Sequence, residues 1–443
     1  MMAAGIPPRP TSSQSCAQEA RTGLALLAFV YLLVGAYVEP PMDIGGGRIL
    51  PAFTTVLILP IVLLLLTPVI FRRDVVMLSS VAALLLLSAF LSPGREWIGH
   101  KLLGLAQTLT AMSAGLALFK LAELLPVVLL RRVLLAAWFG LVIAGGLEVA
   151  GVLRPAVAAF GQAVYHVGGY QFYSNDLRDL SLVGFPRPKV FTSEPSLVAI
   201  AFYLFVTGWL ALKPTPRRLT IAFAATGVML ALVGSPVLLI ALAVLSIIFA
   251  TLGVRRASAS LTRLALLLGL MLALTFVLPS VITLLHDRVQ EAVDNARSYA
   301  ISSENLRIVF PIIATADVLS ASPLLGVGID GKAVINQFSS LPIADFAGET
   351  QFGNNFAFFL TYLGLGGAAA FTWIMARWLR VSGVLYRLLA AVVILGLSQT
   401  MGGFETPRFW TWVFLVFAVY RAASRAGIPS AQPPTGILPT VPR

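Results

Sequence analysis

Apolar segments of about 20 residues recur along the whole chain, and they constrain its fold more than any other feature. A helix of that length crosses a hydrocarbon core of ~30 Å, so each segment predicts a membrane span. One soluble core could not bury a 443-residue chain that is 58% hydrophobic and only 11% charged. The sequence therefore predicts an all-α polytopic membrane protein with about 12 transmembrane helices, centred on 22–38, 50–71, 75–92, 102–122, 133–153, 195–212, 219–234, 236–253, 264–282, 355–376, 388–404 and 408–424.

The distribution of charge predicts how these spans are oriented. If both termini face the cytoplasm, the inner loops hold most of the 31 basic residues but only three of the 19 carboxylates. Cationic residues collect on the cytoplasmic side of membrane proteins. We interpret the twin arginines at 72–73, 131–132, 217–218 and 255–256 as such topology signals rather than as lipid-headgroup or nucleic-acid patches, because each pair lies in a short loop. No nucleic-acid partner is expected.

Only two of the predicted loops are long, at about 154–194 and 283–354, and both fall on the outer side. The Pro-rich segments 1–20 and 426–443 are predicted to be disordered cytoplasmic tails around a single transmembrane domain at 21–425. The two long loops are therefore where functional residues are expected.

These two loops contain cations that the positive-inside trend disfavours on the outer side. Cations kept there suggest an anionic ligand, although pairing with neighbouring carboxylates is an equal alternative for any single residue. Short helices that lie on or dip into the interface are also expected, one of them ending before Ser322-Pro323. The cations are Arg154, Arg178, Arg187, Lys189, Arg288, Arg297, Arg307 and Lys332.

Several common site motifs are missing from the sequence. The spacing Gly326-x-Gly328-x-x-Gly331 matches a dinucleotide fingerprint, but that fingerprint works only between a strand and a helix, so a tight glycine turn is predicted instead. HExxH, CxxC, GxSxG and a Walker lysine loop do not occur. We therefore expect no cofactor and no metal site.

Three stretches of the two outer loops follow one another in a specific order. Residues 187–196 read RPKVFTSEPS, residues 304–328 begin with ENLR and end with PLLGVG, and residues 353–366 begin with GNNFAFFL and end with GLG. Together they resemble the O-antigen ligase and polymerase superfamily, whose members are polytopic glycosyltransferases. Two positions depart from the pattern: Asn354 stands where ligases usually have a histidine, and Ser235-Pro236 stands where many relatives have Ser-Arg.

The resemblance implies a GT-C-like fold and glycosyl transfer on the periplasmic face of the bacterial inner membrane. The donor would be a polyprenyl-diphosphate-linked glycan and the acceptor a second glycan, with the bilayer and possible chain-length regulator or export proteins as further partners. Arginine suits the leaving diphosphate because its planar fork binds phosphate oxygens, and a carboxylate at a membrane entrance suits the proton transfer. The expected catalytic residues are Arg187, Arg307 and Glu194, and the expected substrate-binding residues are Lys189, Arg297, Arg288, Asn354, Asn355 and Asp330.

Alternatives stay open at the level of the sequence. Glu194 beside Pro195 also fits simple stabilisation of a helix N-terminus, and Asn354 and Asn355 also fit capping. The main hypothesis is polymerisation of repeat units into O-antigen, capsular or exopolysaccharide. Ligation of a finished glycan to a lipid or protein is the nearest alternative, and a non-catalytic transporter or flippase is the alternative of another class.

Overall fold

The computed structural model describes residues 12–43, 49–50, 52–166, 179–180, 184–235, 237–248, 310–329, 354–379, 381, 383–401 and 403–427. These residues form helices almost throughout, with one antiparallel pair of two-residue strands, β1 and β2. The elements are α1 (Ser12–Val38), β1 (Met42–Asp43), β2 (Ile49–Leu50), α2 (Phe53–Leu66), α3 (Arg72–Leu91), α4 (Ile98–Leu124), α5 (Val127–Val149), α6 (Arg154–Tyr165), α7 (Pro195–Leu212), α8 (Pro216–Val233), α9 (Val237–Ile248), α10 (Phe310–Ala321), α11 (Asn355–Leu379), α12 (Val384–Thr400) and α13 (Pro407–Gly427).

The length and composition of the helices indicate a polytopic membrane protein, as the sequence predicts. Eleven of the twelve predicted segments overlap a described helix, and the segment 264–282 lies outside the described residues. The predicted count of twelve and the GT-C-like arrangement stay predictions. Among the described residues, seven helical segments are long and apolar enough to cross a membrane: Glu19–Val38, Arg72–Leu91, Arg95–Leu124, Val127–Val149, Pro195–Leu212, Pro216–Val233 and Asn355–Leu379.

Helix α7 lies at the centre of the bundle. Every residue from Leu197 to Leu212 is buried, so the helix is surrounded by other helices and presents no face to lipid. Pro195 occupies its first position, where a proline needs no hydrogen-bond acceptor and its fixed φ suits the helix. Close packing around Gly208 brings α7 against α5 and α13. The residues just before α7 are thereby held at a fixed place at the end of the bundle.

Helix α11 is interrupted at Gly364, where φ is 63° and ψ is −176°. Gly364 lies nine residues from the start of the helix, about 14 Å along its axis and so near the middle of a hydrocarbon core of ~30 Å. The backbone of the turn after α10 accepts the N–H groups released by the break, with Leu365 bonding to Pro323 O at 2.7 Å and Gly367 to Leu324 O at 2.9 Å. Irregular backbone at this depth requires such protein partners.

The predicted glycine turn is confirmed within this arrangement. Gly326 and Gly328 have φ of 62° and 86°, and a Cβ on Gly326 would lie 2.3 Å from Thr361 O. Only glycine fits a backbone approach that close. Helix α10 itself packs along the first half of α11, with the Thr315 and Thr361 hydroxyls 3.0 Å apart. The predicted helix therefore exists, ends at Ala321 as expected, and dips into the bundle.

The helices divide the charged residues between two ends of the bundle. Arg408 at the start of α13 meets Glu39 just after α1, and we call this the Arg408 end. Asp74 at the start of α3 meets Lys120 near the end of α4, and we call this the Asp74 end. The grouping agrees with the sides expected from the sequence. Which end faces the cytoplasm stays a prediction.

Candidate functional site

The residues before α7 form a segment, 184–194, that lies at the Arg408 end and is held by the side chain of Glu148 from α5. The two carboxylate oxygens of Glu148 accept the N–H groups of Lys189 at 3.0 Å and Val190 at 2.7 Å. Glu148 is only 4% exposed, and a buried carboxylate of this kind is stabilised by charge-assisted hydrogen bonds. Glu148 therefore fixes the backbone that connects the predicted cations Arg187 and Lys189 to the start of α7.

Two phenols, one half-buried and one buried, bind the next carbonyls of the same segment. Tyr37 on α1 donates to Val190 O at 2.8 Å, and Tyr165 on α6 donates to Phe191 O at 2.9 Å. The same hydroxyl lies 2.5 Å from Val38 O, so its single hydrogen is shared between the two carbonyls and ties the segment to the end of α1. The 184–194 segment is thus positioned by three helices that are distant in sequence.

The backbone that these side chains hold is strained. Val190 and Phe191 have φ of 42° and 65°, in the left-handed region that residues with a Cβ rarely adopt. Each such residue costs on the order of 1–3 kcal/mol and persists only when its surroundings over-determine it. The hydrogen bonds from Glu148, Tyr37 and Tyr165 hold the two residues in this conformation. Strained backbone of this kind clusters at functional sites.

Arg187 lies in this segment and forms an ion pair. Its Nε donates to Asp179 Oδ1 at 2.7 Å, and its backbone N–H donates to Asp179 Oδ2 at 3.1 Å. Asp179 is fully buried, whereas the side chain of Arg187 is 20% exposed. Pairing with a neighbouring carboxylate, the alternative expected for these cations, is therefore real for Arg187. The pair also fixes the direction in which the guanidinium group points.

Lys189 and Glu194 follow at the same end of the bundle, and both are partly exposed. Glu194 is the N-cap residue of α7 with extended backbone, but its side chain makes no capping hydrogen bond. Thr192 closes the turn between them, because its hydroxyl donates to Lys189 O at 2.6 Å and lies 2.9 Å from Glu194 O. The structure thus brings Arg187, Lys189 and Glu194 together in one rigid stretch of backbone.

The two predicted asparagines have different surroundings. Asn354 caps α11, since its Oδ1 accepts the Ala357 N–H at 3.1 Å, and its Nδ2 donates to Gln399 Oε1 at 2.9 Å. Asn355 is 1% exposed, and neither amide atom of its side chain has a hydrogen-bond partner among the described residues. A buried amide without partners is costly, by about 1–3 kcal/mol. The capping interpretation therefore applies to Asn354 but not to Asn355.

A buried ion pair that the sequence did not reveal lies next to the 184–194 segment and supports it. Arg408 Nη1 binds Glu39 Oε2 at 2.8 Å, its Nε donates to Ala36 O at 2.9 Å, and its Nη2 donates to Tyr37 O and Val38 O at 3.3 Å. Burial raises the pKa of Glu39 above the usual glutamate value, and the charge of Arg408 opposes this only in part. Arg408 and Tyr165 share Val38 O, so the pair is connected to the strained backbone.

No local pattern points to this pair, because the two residues are 369 positions apart in the sequence. A buried cation near the start of α4 was missed for a similar reason. Lys101 is fully buried, and its Nζ donates to Ser92 Oγ at 2.8 Å and Pro93 O at 2.5 Å. The Lys101 side chain also packs against Gly328 of the glycine turn. Only the three-dimensional contact makes Lys101 notable.

The other predicted residues, Arg288, Arg297, Arg307 and Asp330, lie outside the described residues. Among the residues that the structure does describe, no group of three or more His, Cys, Asp or Glu side chains could hold a metal ion. No protein-family model matches the chain, and no curated protein sequence matches it. Function is therefore inferred from the sequence and the geometry of this chain.

Proposed function

We propose that the protein is a membrane glycosyltransferase that polymerises polyprenyl-diphosphate-linked repeat units on the periplasmic face of the bacterial inner membrane. The observation that carries the proposal is the strained segment 184–194, in which Val190 and Phe191 adopt left-handed backbone between Lys189 and Glu194. The sequence resemblance to O-antigen ligases and polymerases gives the reaction class. Two strained residues, held by the polar side chains of Glu148, Tyr37 and Tyr165, support a geometric requirement at this place.

The electrostatics of the Arg408 end suit a diphosphate. Helices α7, α11 and α13 begin at this end, whereas α1 and α5 end there, so the helix dipole that favours an anion is a local one, at the N-terminus of α7 near Lys189. Lys189 adds positive charge, and Arg187 adds a partly exposed guanidinium group whose charge Asp179 balances. Arg307, Arg297 and Arg288 are the further cations proposed for the same ligand. Arginine groups that neutralise the departing diphosphate lower the barrier most where water is partly excluded. The proposed reaction therefore needs no metal ion and no cofactor.

The proposed reaction transfers a glycan from the lipid-linked diphosphate to a hydroxyl group of a second glycan. The bond between the anomeric carbon and the diphosphate oxygen breaks, and a bond to the acceptor oxygen forms. Glu194 accepts the proton from the attacking hydroxyl, and the diphosphate leaves as an anion held by Arg187 and Arg307. Asn355 supplies an amide for glycan hydroxyls, and Asp330 is a reserve base. A base at the N-terminus of α7 is held rigidly, which favours a fixed attack geometry.

The surroundings of Asn354 favour polymerisation over ligation. Its amide is used to cap α11 and to bind Gln399, and an amide does not accept a proton at neutral pH. The chain therefore offers no base at the position where ligases usually have a histidine. Ligation to a lipid or protein acceptor uses the same donor and stays the nearest alternative.

A transporter is favoured by one observation, the interruption of α11 at Gly364. Discontinuous helices near the bilayer midplane often form the substrate sites of transporters. The turn after α10 fills this break with backbone hydrogen bonds, and Lys101 lies beside it. The test of function must therefore separate chain growth from translocation.

The decisive experiment supplies purified full-length protein in lipid nanodiscs with a lipid-linked repeat unit as the only substrate. Ladders of longer glycans are expected from the wild type and not from Glu194→Gln, whereas Glu19→Gln, on the exposed surface of α1, serves as the matched carboxylate control. Chain growth only after addition of a lipid or protein acceptor would show a ligase. Movement of the substrate across a vesicle membrane without chain growth would show a transporter.

A further inference from the structure

A cluster of cations at the Asp74 end takes no part in the proposed reaction. It joins the first turn of α3 with the last turns of α4 and α13, and we call it the Arg72 cluster. Four cations lie within 4.0 Å of two carboxylates there, and Arg72 precedes one of them, Arg73, at the start of α3, which leaves a surplus of three positive charges among these described residues. The paired members are Arg73, Lys120, Arg421 and Arg425, with the carboxylates Asp74 and Glu123.

Both carboxylates are fully engaged inside the cluster. Asp74 binds Lys120 Nζ at 2.7 Å, the Trp378 indole N–H at 2.8 Å and the Phe71 N–H at 2.8 Å. Glu123 is shared by Lys120 at 3.6 Å, Arg421 at 3.3 Å and Arg425 at 3.2 Å. Little negative charge is left to compensate the two arginines at the start of α3.

Those two arginines occupy an unfavourable place on their helix. Arg72 and Arg73 are the first residues of α3, where the helix macrodipole is positive and cations are disfavoured. Arg73 Nε is buried without a hydrogen bond and lies 3.9 Å from Asp74 Oδ1. Arg421 is 8% exposed, and its Nη1 has no partner among the described residues. Guanidinium N–H groups next to a helix N-terminus fit the oxygens of a phosphate.

The surface beside the cations is apolar. Phe71 is exposed, and the guanidinium of Arg73 lies 5.3 Å from the centre of its ring. Val75 and Val76 are exposed one turn further along α3, on the stretch that would cross the membrane. A ligand that covers both parts must therefore combine a negative group with hydrocarbon, which excludes a free phosphate ion.

We propose that the Arg72 cluster binds the phosphodiester headgroup of an anionic phospholipid whose acyl chains lie along α3. Basic pockets between transmembrane helices take headgroups of this class. The lipid phosphate compensates the surplus charge and the positive end of α3, and the acyl chains cover Phe71, Val75 and Val76. The proposal is independent of the glycosyltransferase proposal, because no residue of the Arg408 end takes part.

The test measures binding of phosphatidylglycerol to the full-length protein in detergent by native mass spectrometry. Each arginine beside an anionic headgroup contributes about a fivefold gain in affinity, so Arg72→Gln with Arg73→Gln should weaken binding about 25-fold. Arg131→Gln with Arg132→Gln, another arginine pair near a loop at the same end, should leave it unchanged. Removing cations from a helix N-terminus does not destabilise the helix, so the first variant should fold.

Three results would overturn the proposal. Unchanged phosphatidylglycerol binding in the Arg72 and Arg73 variant would show that the cluster is not the site. An equal loss in both double variants would show that any interfacial cation serves. Full displacement of the lipid by inorganic phosphate would show a site for soluble anions. The single variant Arg72→Gln, whose side chain contacts neither carboxylate, should weaken binding about fivefold and keeps the test decisive if the double variant aggregates.

Discussion

The two ends of the bundle use buried charge in different ways. At the Arg408 end, Arg408 and Glu148 bind main-chain atoms: three carbonyls of α1 and two N–H groups of the segment 184–194. At the Asp74 end, the charges bind mainly one another, through Lys120 and Glu123. The first arrangement fixes the conformation of a connecting segment, whereas the second joins helices. The difference implies that charge changes at the Arg408 end alter activity as well as stability, whereas changes to the ion pairs of the Asp74 end alter stability without altering activity.

The largest expected effect is on stability at the Asp74 end. Asp74→Asn removes the nearer of the two carboxylates that pair with Lys120, which is 1% exposed, and leaves only Glu123 at 3.6 Å. Breaking a buried ion pair costs about 3–5 kcal/mol, and Glu123 places the expected loss toward the lower end of that range. We therefore expect a lower thermal unfolding temperature by size-exclusion chromatography after heating. Replacing Lys120 with Met in the same chain should restore part of the loss. A double variant that is no more stable than Asp74→Asn alone would show that the ion pair with Lys120 does not stabilise the Asp74 end.

Helix α13 has an arginine at each end of the bundle, so replacing each of them with lysine gives the sharpest contrast between the two ends. Arg408→Lys keeps a charge for Glu39 but cannot reach three carbonyls, so we expect a loss of about 1–3 kcal/mol in stability and at least a tenfold loss of polymerisation. Arg421→Lys, on the same helix α13 but at the Asp74 end, should keep full polymerisation. Equal activity of the two variants in the nanodisc assay would remove the distinction between the ends.

A smaller effect is expected where Glu148 holds the strained segment. Glu148→Gln keeps one acceptor oxygen but turns an NH₂ group toward the second backbone N–H, at a cost of about 1–3 kcal/mol. Relaxation of Val190 and Phe191 should then lower kcat about tenfold, because the base Glu194 shifts relative to Arg187 and Lys189 on the donor side. An unchanged kcat, with stability lowered as expected, would mean that the strain serves folding alone.

The sequence predicted the helices well because apolar length is a local property. The pattern around Glu194-Pro195 gave the start of α7, and Gly326 and Gly328 gave the turn, since proline and glycine fix backbone conformation locally. The ion pair of Glu39 with Arg408 could not be predicted, because it joins residues at opposite ends of the chain. The strain at Val190 could not be predicted either, since neither valine nor phenylalanine favours left-handed backbone. It results from tertiary bonds that override local preference.

The smallest expected effect concerns pH and isolates the carboxyl of the Arg408 end. Burial raises the pKa of Glu39 in the folded protein, and Arg408 offsets this only in part. A carboxyl whose pKa is higher when folded binds its proton more readily in the folded state. Its contribution to stability is therefore full below the pKa of an unfolded glutamate and is lost as the pH rises through the folded pKa.

Glu39→Gln cannot titrate, so the stability difference between wild type and variant should shift against the wild type as the pH rises from about 4 to about 8. Thermal unfolding across that range measures the shift, with Glu19→Gln as the exposed control. A difference that stays constant with pH would show that Arg408 compensates Glu39 completely, and the two ends would then hold their charges in the same way.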